Sequence, residues 1–153
     1  MKKLLSLVLG GFIWMTASTA MANDIDLVKS FYSELLSDTT ASDMADRTKK
    51  ILSDDWTTNE KPTGHAGFAK TVAYFGSIIP DLKWEVVDVL QDGNRYVVRG
   101  KATGTPVKAL FGAPATGNAF EIMSIDIHTV ENGKIVNSYH IEDWLKALKQ
   151  IKG

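Results

Sequence analysis

Phe75-Gly76-Ser77-Ile78-Ile79-Pro80-Asp81-Leu82-Lys83-Trp84-Glu85-Val86 is where the chain changes its hydrophobic period. Upstream, Phe68, Val72, Phe75 and Ile79 recur every three or four residues, which predicts a helix over residues 65–79 that buries those side chains. Pro80 lacks an amide proton and cannot continue it. Downstream, Leu82, Trp84, Val86 and Asp88 alternate, so they share one face of a strand over residues 82–91. Helical spacing ends and sheet spacing begins.

Working back toward the N-terminus, Leu27, Val28, Phe31, Leu35 and Leu36 predict a first helix over residues 24–36, stopped by Ser37-Asp38-Thr39-Thr40. The capping pair Ser42-Asp43 opens a second helix toward Ile51-Leu52, with Met44, Ile51 and Leu52 inward. Asp54-Asp55 then starts an irregular stretch through Trp56, Asn59, Pro62 and Gly64. Working forward, Asp92-Gly93 signals a hairpin turn into a strand over residues 95–105. Residues 105–117, with Pro106, Gly112, Pro114 and Gly117, form a loop of the length that often carries function. Strands over residues 120–130 and 134–143 flank Asn132-Gly133, and residues 144–151 close the chain as a short helix or tail. Helices followed by a meander define an α+β domain, not the strand–helix alternation of a nucleotide-binding sheet. No G-x-G-x-x-G, phosphate-loop or G-x-S-x-G motif and no internal repeat occurs.

The first residues carry a secretory pattern: Lys2-Lys3, an apolar run from Leu4 to Met15, and the small-x-small site Ala20-Met21-Ala22. The expectation is a signal peptide over residues 1–22, cleaved after Ala22, and a periplasmic or secreted single domain over residues 23–153. An uncleaved N-terminal anchor is the alternative. No later stretch approaches the ~20 apolar residues of a membrane span, so no membrane association is expected after cleavage. The 17 Lys and Arg residues stand against 18 Asp and Glu without a clustered basic face, which argues against a nucleic-acid partner. The absence of cysteine excludes disulfides, thiolate nucleophiles and cysteine-held zinc. His65, His128 and His140 lack metal-ligand spacing.

The last hairpin admits two pairings. A two-residue turn at Asn132-Gly133 sets Asp126 opposite Tyr139 and mixes polar with apolar residues on each face. A three-residue loop, Glu131-Asn132-Gly133, sets Asp126 opposite Ser138 and sorts the faces. Met123, Ile125, Ile127, Ile135, Tyr139 and Ile141 then share one side, and Ser124, Asp126, His128, Ser138, His140 and Glu142 the other. A one-residue slip would undo that sorting, so the second pairing is preferred. It makes Asp126 and His140 diagonal neighbours within side-chain reach, a carboxylate beside an imidazole suited to proton abstraction. The same face could equally be the wet side of an antiparallel sheet. Large aromatics such as Trp56, Trp84, Tyr32 and Tyr74 fit either a pocket lining or ordinary core.

Five segments occur in an order and spacing that resembles the SnoaL-like polyketide cyclases. They are residues 64–68 (Gly-His-Ala-Gly-Phe), 79–86 (Ile-Pro-Asp-Leu-Lys-Trp-Glu-Val), 98–105 (Val-Arg-Gly-Lys-Ala-Thr-Gly-Thr), 111–117 (Phe-Gly-Ala-Pro-Ala-Thr-Gly), and Ile125-Asp126-Ile127 through Gly133-Lys134-Ile135-Val136. The resemblance implies the cone-shaped fold of the nuclear transport factor 2 superfamily, with helices in the hollow of a curved sheet, and it turns the Asp126 and His140 face into the pocket. It also implies an intramolecular aldol cyclisation without metal or cofactor. The family's acid/base aspartate falls at His140 and its neighbouring-strand histidine at Asp126, so the pair is exchanged here. The family's pocket asparagine has Thr58 and Asn59 as its nearest counterparts.

These readings make His140 the expected general base and Asp126 the residue that orients it. Tyr32, Trp56, Phe75, Phe111, Ser124 and Ser138 are the expected contacts of a small hydrophobic carbonyl ligand. The pocket is expected between the third helix, the loop over residues 105–117 and the last hairpin. A non-catalytic small-molecule binding domain, or one that dimerises through the apolar sheet face, is the alternative.

Overall fold

The computed structural model describes residues 24–153, so the signal segment expected over residues 1–22 lies outside the described residues. Helix α1 is α-helical over residues 24–30 and continues as a π-helical turn, Phe31–Leu36. It is followed by α2 (Met44–Ile51), β1 (Leu52–Thr58), β2 (Lys61–Pro62) and α3 (Gly64–Ile78). The meander comprises β3 (Lys83–Asp92), β4 (Arg95–Gly104), β5 (Phe120–Glu131) and β6 (Lys134–Glu142), and α4 (Trp144–Lys152) ends the chain. The six strands form one sheet in the order β2-β1-β6-β5-β4-β3. Every neighbouring pair is antiparallel except β1 with β6. No helix among the described residues is long and apolar enough to cross a membrane.

The stretch expected to be irregular is a hairpin. Its strand β1 pairs with β6 through a register shift between Leu52 and Thr57, so adjacent Asp54 and Asp55 both point outward and erase the alternation that marks a strand. Its turn is made by Asn59 (φ 47°) and Glu60 (φ 67°), neither a glycine. The β3–β4 turn falls one residue later than the Asp92-Gly93 signal, because Asp92 pairs with Arg95 and Gly93-Asn94 makes the reversal.

The last hairpin takes neither expected pairing. Asn132 (φ 52°) and Gly133 (φ 71°) make a two-residue turn, since Glu131 pairs with Lys134 and Val130 with Ile135. A bulge then admits Val136 as an extra residue, and from Thr129↔Asn137 onward the register is shifted, with Asp126 opposite His140. The preferred pairing differs from this by two residues along β6, an even slip, which is why it sorted the faces correctly while misplacing the partners. The bulge also sends Ile135 inward, where it is fully buried, rather than to the outer face with Tyr139 and Ile141.

The inward face of the sheet meets α1, α2 and α3 through Tyr96, Val98, Val130 and Ile135, packed with Val28, Phe31, Leu35 and Trp56. A second cluster joins α4 to the first residues of β5: Ala147 and Ile151 lie against Phe120 and Ile122. Phe68 and Phe75 on α3, expected to be buried, are only half-buried, because between α3 and the sheet a hollow replaces packed core.

Candidate functional site

The hollow has two adjoining lobes, with volumes of about 140 and 190 Å³. Leu36, Phe68, Thr71, His140 and Glu142 border both. One lobe is apolar, walled by Val72, Phe75, Leu82, Trp84 and Trp144. The other contains Trp56, Thr58, Asp126, His128 and Ser138. A cavity of about 150 Å³ holds a single benzene ring, so a two-ring molecule matches the pair of lobes. His140 and Glu142 then sit at its waist.

Asp126 and His140 reach the polar lobe from directly opposed positions on β5 and β6. Asp126 is 5% exposed and accepts a 2.8 Å hydrogen bond from Ser124 Oγ. Burial is the main force pushing its carboxyl up to about 6, and the charge of Glu142 adds to it. Hydrogen bonds from Ser124 and Tyr32 and the charge of His140 oppose that rise. Room for the Ser124 hydroxyl comes from Gly100, its partner on β4, where a Cβ would lie 2.6 Å from Ser124 Oγ. Gly100→Ala is therefore expected to break the Ser124–Asp126 bond and move the carboxyl titration upward; an unchanged Asp126 ¹³Cγ titration would refute this.

His140 is held at two places. Its Nδ1 hydrogen-bonds Glu142 Oε1 at 2.8 Å, and this contact is the leading cause that raises its imidazole above the ordinary 6.5, against burial. Its backbone N–H donates to Asn59 Oδ1 at 2.9 Å, and Asn59 Nδ2 donates back to its carbonyl at 3.1 Å. Strand β1 last pairs with β6 at Thr58↔Ser138, so the Asn59 side chain continues the ladder where that strand turns away. Asparagine tolerates the left-handed backbone this needs.

This geometry corrects the expected division of labour. Glu142, not Asp126, orients His140, because it lies two residues along the same strand face and reaches Nδ1 first. Of the expected ligand contacts, Trp56, Ser138 and Phe75 border the hollow. Tyr32 and Ser124 are 1% exposed and sit behind its wall. Phe111 is 56% exposed, at a turn outside the hollow, with its ring against Phe75 and Trp144. None of residues 105–117 borders either lobe; Leu36, Trp84 and Trp144 close that side instead. The sequence reading placed Glu142 on the polar face but gave it no role, although its spacing of two from His140 was the available signal.

His128, also on β5, is fully buried. Its Nε2 lies 2.8 Å from the Tyr32 hydroxyl and its Nδ1 2.8 Å from Ser138 Oγ, which accepts from Trp56 Nε1 at 3.1 Å. Burial, with the nearby His140, pushes it down to about 3, so it is neutral at any physiological pH. The π-helical turn of α1 places Phe31 and Tyr32 against this ring. Among the described residues no group of three His, Asp or Glu side chains is gathered as a metal site.

Helices filling the concavity of a curved, mostly antiparallel sheet, with a pocket opening onto acid/base side chains of adjacent strands, define a domain of the nuclear transport factor 2-like class. The chain belongs to the SnoaL-like polyketide cyclase family, whose sequence model matches residues 26–151. TsrD from Streptomyces laurentii superposes with a TM-score of 0.74 at 21% identity, over 85% of this chain and 95% of its own. IdmH from Streptomyces antibioticus, a candidate polyketide cyclase, gives 0.74 at 21% identity over 85% and 99%. A candidate SnoaL-like polyketide cyclase from Jannaschia sp. CCS1 gives 0.73 at 16% identity over 86% and 93%. At these identities the likeness is one of fold. No curated protein matches the chain significantly.

Proposed function

We propose that this protein is an exported, cofactor-independent acid/base enzyme that enolises a small hydrophobic carbonyl compound about two fused rings in size. The observation that carries the reading is that Asp126 and His140 lie directly opposite each other on the polar lobe of a hollow whose adjoining lobe is apolar. With Asp126 pushed up to about 6 and His140 raised above its ordinary 6.5, carboxylate faces imidazolium in the window between the two titrations. Asp126 is then the general base and His140 the acid, where the sequence reading made His140 the base and Asp126 the residue that orients it. Asp126 takes a proton from the carbon next to the carbonyl, the electron pair moves onto the carbonyl oxygen, and the His140 Nε2–H donates to that oxygen. The enolate can attack a second carbonyl in the same molecule, closing a ring; a retro-aldol cleavage or a shifted reprotonation uses the same two groups.

The test needs no natural substrate: 2-tetralone fits the two lobes and its α-protons exchange visibly by NMR in D₂O. Catalysed exchange is expected, lost in Asp126→Asn. Its pH profile should be a bell, rising through about pH 6 as Asp126 ionises and falling above 6.5 as His140 loses its proton. Binding of 2-tetralone without exchange would overturn the catalytic reading. Export rests on the Lys2-Lys3, Leu4–Met15 and Ala20-Met21-Ala22 pattern. It predicts a mature N-terminus at Asn23 by mass spectrometry of the periplasmic fraction, and an uncleaved cytoplasmic chain would refute it.

A second reading, a dimerising domain without turnover, draws on the outer sheet face. Met123, Tyr139 and Ile141 are 51%, 42% and 70% exposed there, with half-buried Ile125 and Ile127 between them. It predicts a concentration-dependent dimer that Ile125→Asp disrupts.

A further inference from the structure

Four polar side chains at the wall of the Asp126 lobe, Trp56, Ser138, His128 and Tyr32, are each no more than 2% exposed, and three hydrogen bonds join them to one another. The indole N–H of Trp56 can only donate, and it donates to Ser138 Oγ. His128 is neutral, so one ring nitrogen donates and the other accepts. If Nδ1 carried the proton, Ser138 would accept from both Trp56 and His128, its own proton would have no acceptor among the described residues, and Tyr32 would spend its proton on Nε2. If Nε2 carries it, Ser138 donates to Nδ1, Nε2–H donates to the Tyr32 oxygen, and the Tyr32 proton is free for the Asp126 carboxylate, which Tyr32 helps to hold down. Only the second arrangement gives every donor an acceptor.

We propose that Trp56, Ser138, His128 and Tyr32 form a one-way hydrogen-bond chain that locks His128 in its Nε2–H tautomer and aims the Tyr32 proton at Asp126. All four are then positioning residues for Asp126, in a role that rests on the reading of Asp126 as the base. The chain explains why this fold spends a buried imidazole where a phenylalanine would pack: the ring passes on the direction set by Trp56, whose N–H cannot be reversed. The other groups facing Asp126 are Ser124 on its own strand and His140 and Glu142 on β6, while β4 presents Val98.

Two NMR measurements on the whole domain test it without catalysis. The His128 ring nitrogens should report the Nε2–H tautomer at neutral pH, and Nδ1–H would overturn the chain. The Asp126 ¹³Cγ titration should move up by about one pH unit in Tyr32→Phe, the loss of one hydrogen bond to a charge. It should move up by less in Ser138→Ala, and return toward wild type in Ser138→Thr. An unmoved titration in Ser138→Ala would overturn the chain even if that variant melts earlier, because a purely structural serine would lower stability alone. Failure to exchange 2-tetralone would sink the enzymatic reading and leave both measurements standing.

Discussion

Asp126→Asn is expected to stabilise the protein at pH 7 by up to about 3 kcal/mol while abolishing proton transfer, because the carboxyl is raised by about two pKa units and each unit is worth ~1.4 kcal/mol. The unfolded chain ionises this group near 3.8 and the folded chain near 6, so folding opposes ionisation. Below pH 3.8 both states are protonated and the group costs nothing. The cost develops between 3.8 and 6 and is fully present at pH 7. Asparagine keeps the shape and accepts the Ser124 hydrogen bond, but carries no charge into the hollow. Melting followed by circular dichroism should show a midpoint higher by roughly 5–10 °C at pH 7 and a gain that vanishes at pH 4. A variant no more stable than wild type at pH 7 would mean that the carboxylate is not held at a penalty.

His128 gives the same experiment a second readout. Its folded value near 3 lies below the unfolded 6.5, so stability is lost as pH falls below 6.5, by ~1.4 kcal/mol per pH unit. Between pH 4 and 6 Asp126 and His128 therefore act with opposite sign, one proton each, and wild-type stability should be nearly flat from these two groups. Asp126→Asn removes one of them and unmasks the His128 slope. A protein that maintains a strained carboxylate at the cost of stability is behaving as functional sites do.

The legibility of this chain in its sequence followed the regularity of its elements. Helices α3 and α4 and strands β4 and β5 were readable because their apolar residues keep one period over eight residues or more. Bulges at Val87 in β3 and Val136 in β6 break the alternation, so that Asp88 leaves the Trp84 and Val86 face on which the sequence set it. Strand β1 was not readable, since its bulge lets Asp54 and Asp55 both face solvent, and its turn uses Asn59 and Glu60 where glycine would have signalled it. The polar face was legible because an error of two residues in register leaves side-chain direction unchanged. Which residue of that face touches which was not, because the bulge at Val136 depends on tertiary fit rather than local propensity. That is why Asp126 and His140 were found together but set diagonal rather than opposite, whereas the His140–Glu142 contact lies within one strand, owes nothing to the register, and was missed because Glu142 was given no role.

That contact supports the sharpest expectation for the site. His140→Gln should slow α-proton exchange on 2-tetralone by roughly 10²–10⁴-fold, the usual contribution of a positioned acid or base. It should also move the rising limb of the pH profile upward, since the positive charge of His140 is one of the forces that hold Asp126 down. Glu142→Gln should do the opposite. Glu142 raises His140 through its hydrogen bond and charge, and raises Asp126 by repulsion, so its neutralisation lowers both titrations and slides the whole bell toward acid. At pH 5 the Glu142→Gln protein should outperform wild type relative to its own activity at pH 8. A simple two-residue relay from Asp126 to His140 predicts something else: loss of Glu142 would leave both limbs where they are. Limbs that stay fixed in Glu142→Gln would return the orienting role to Asp126, and limbs that move together would establish that Glu142 acts on the titrations of both Asp126 and His140 at the waist of the hollow.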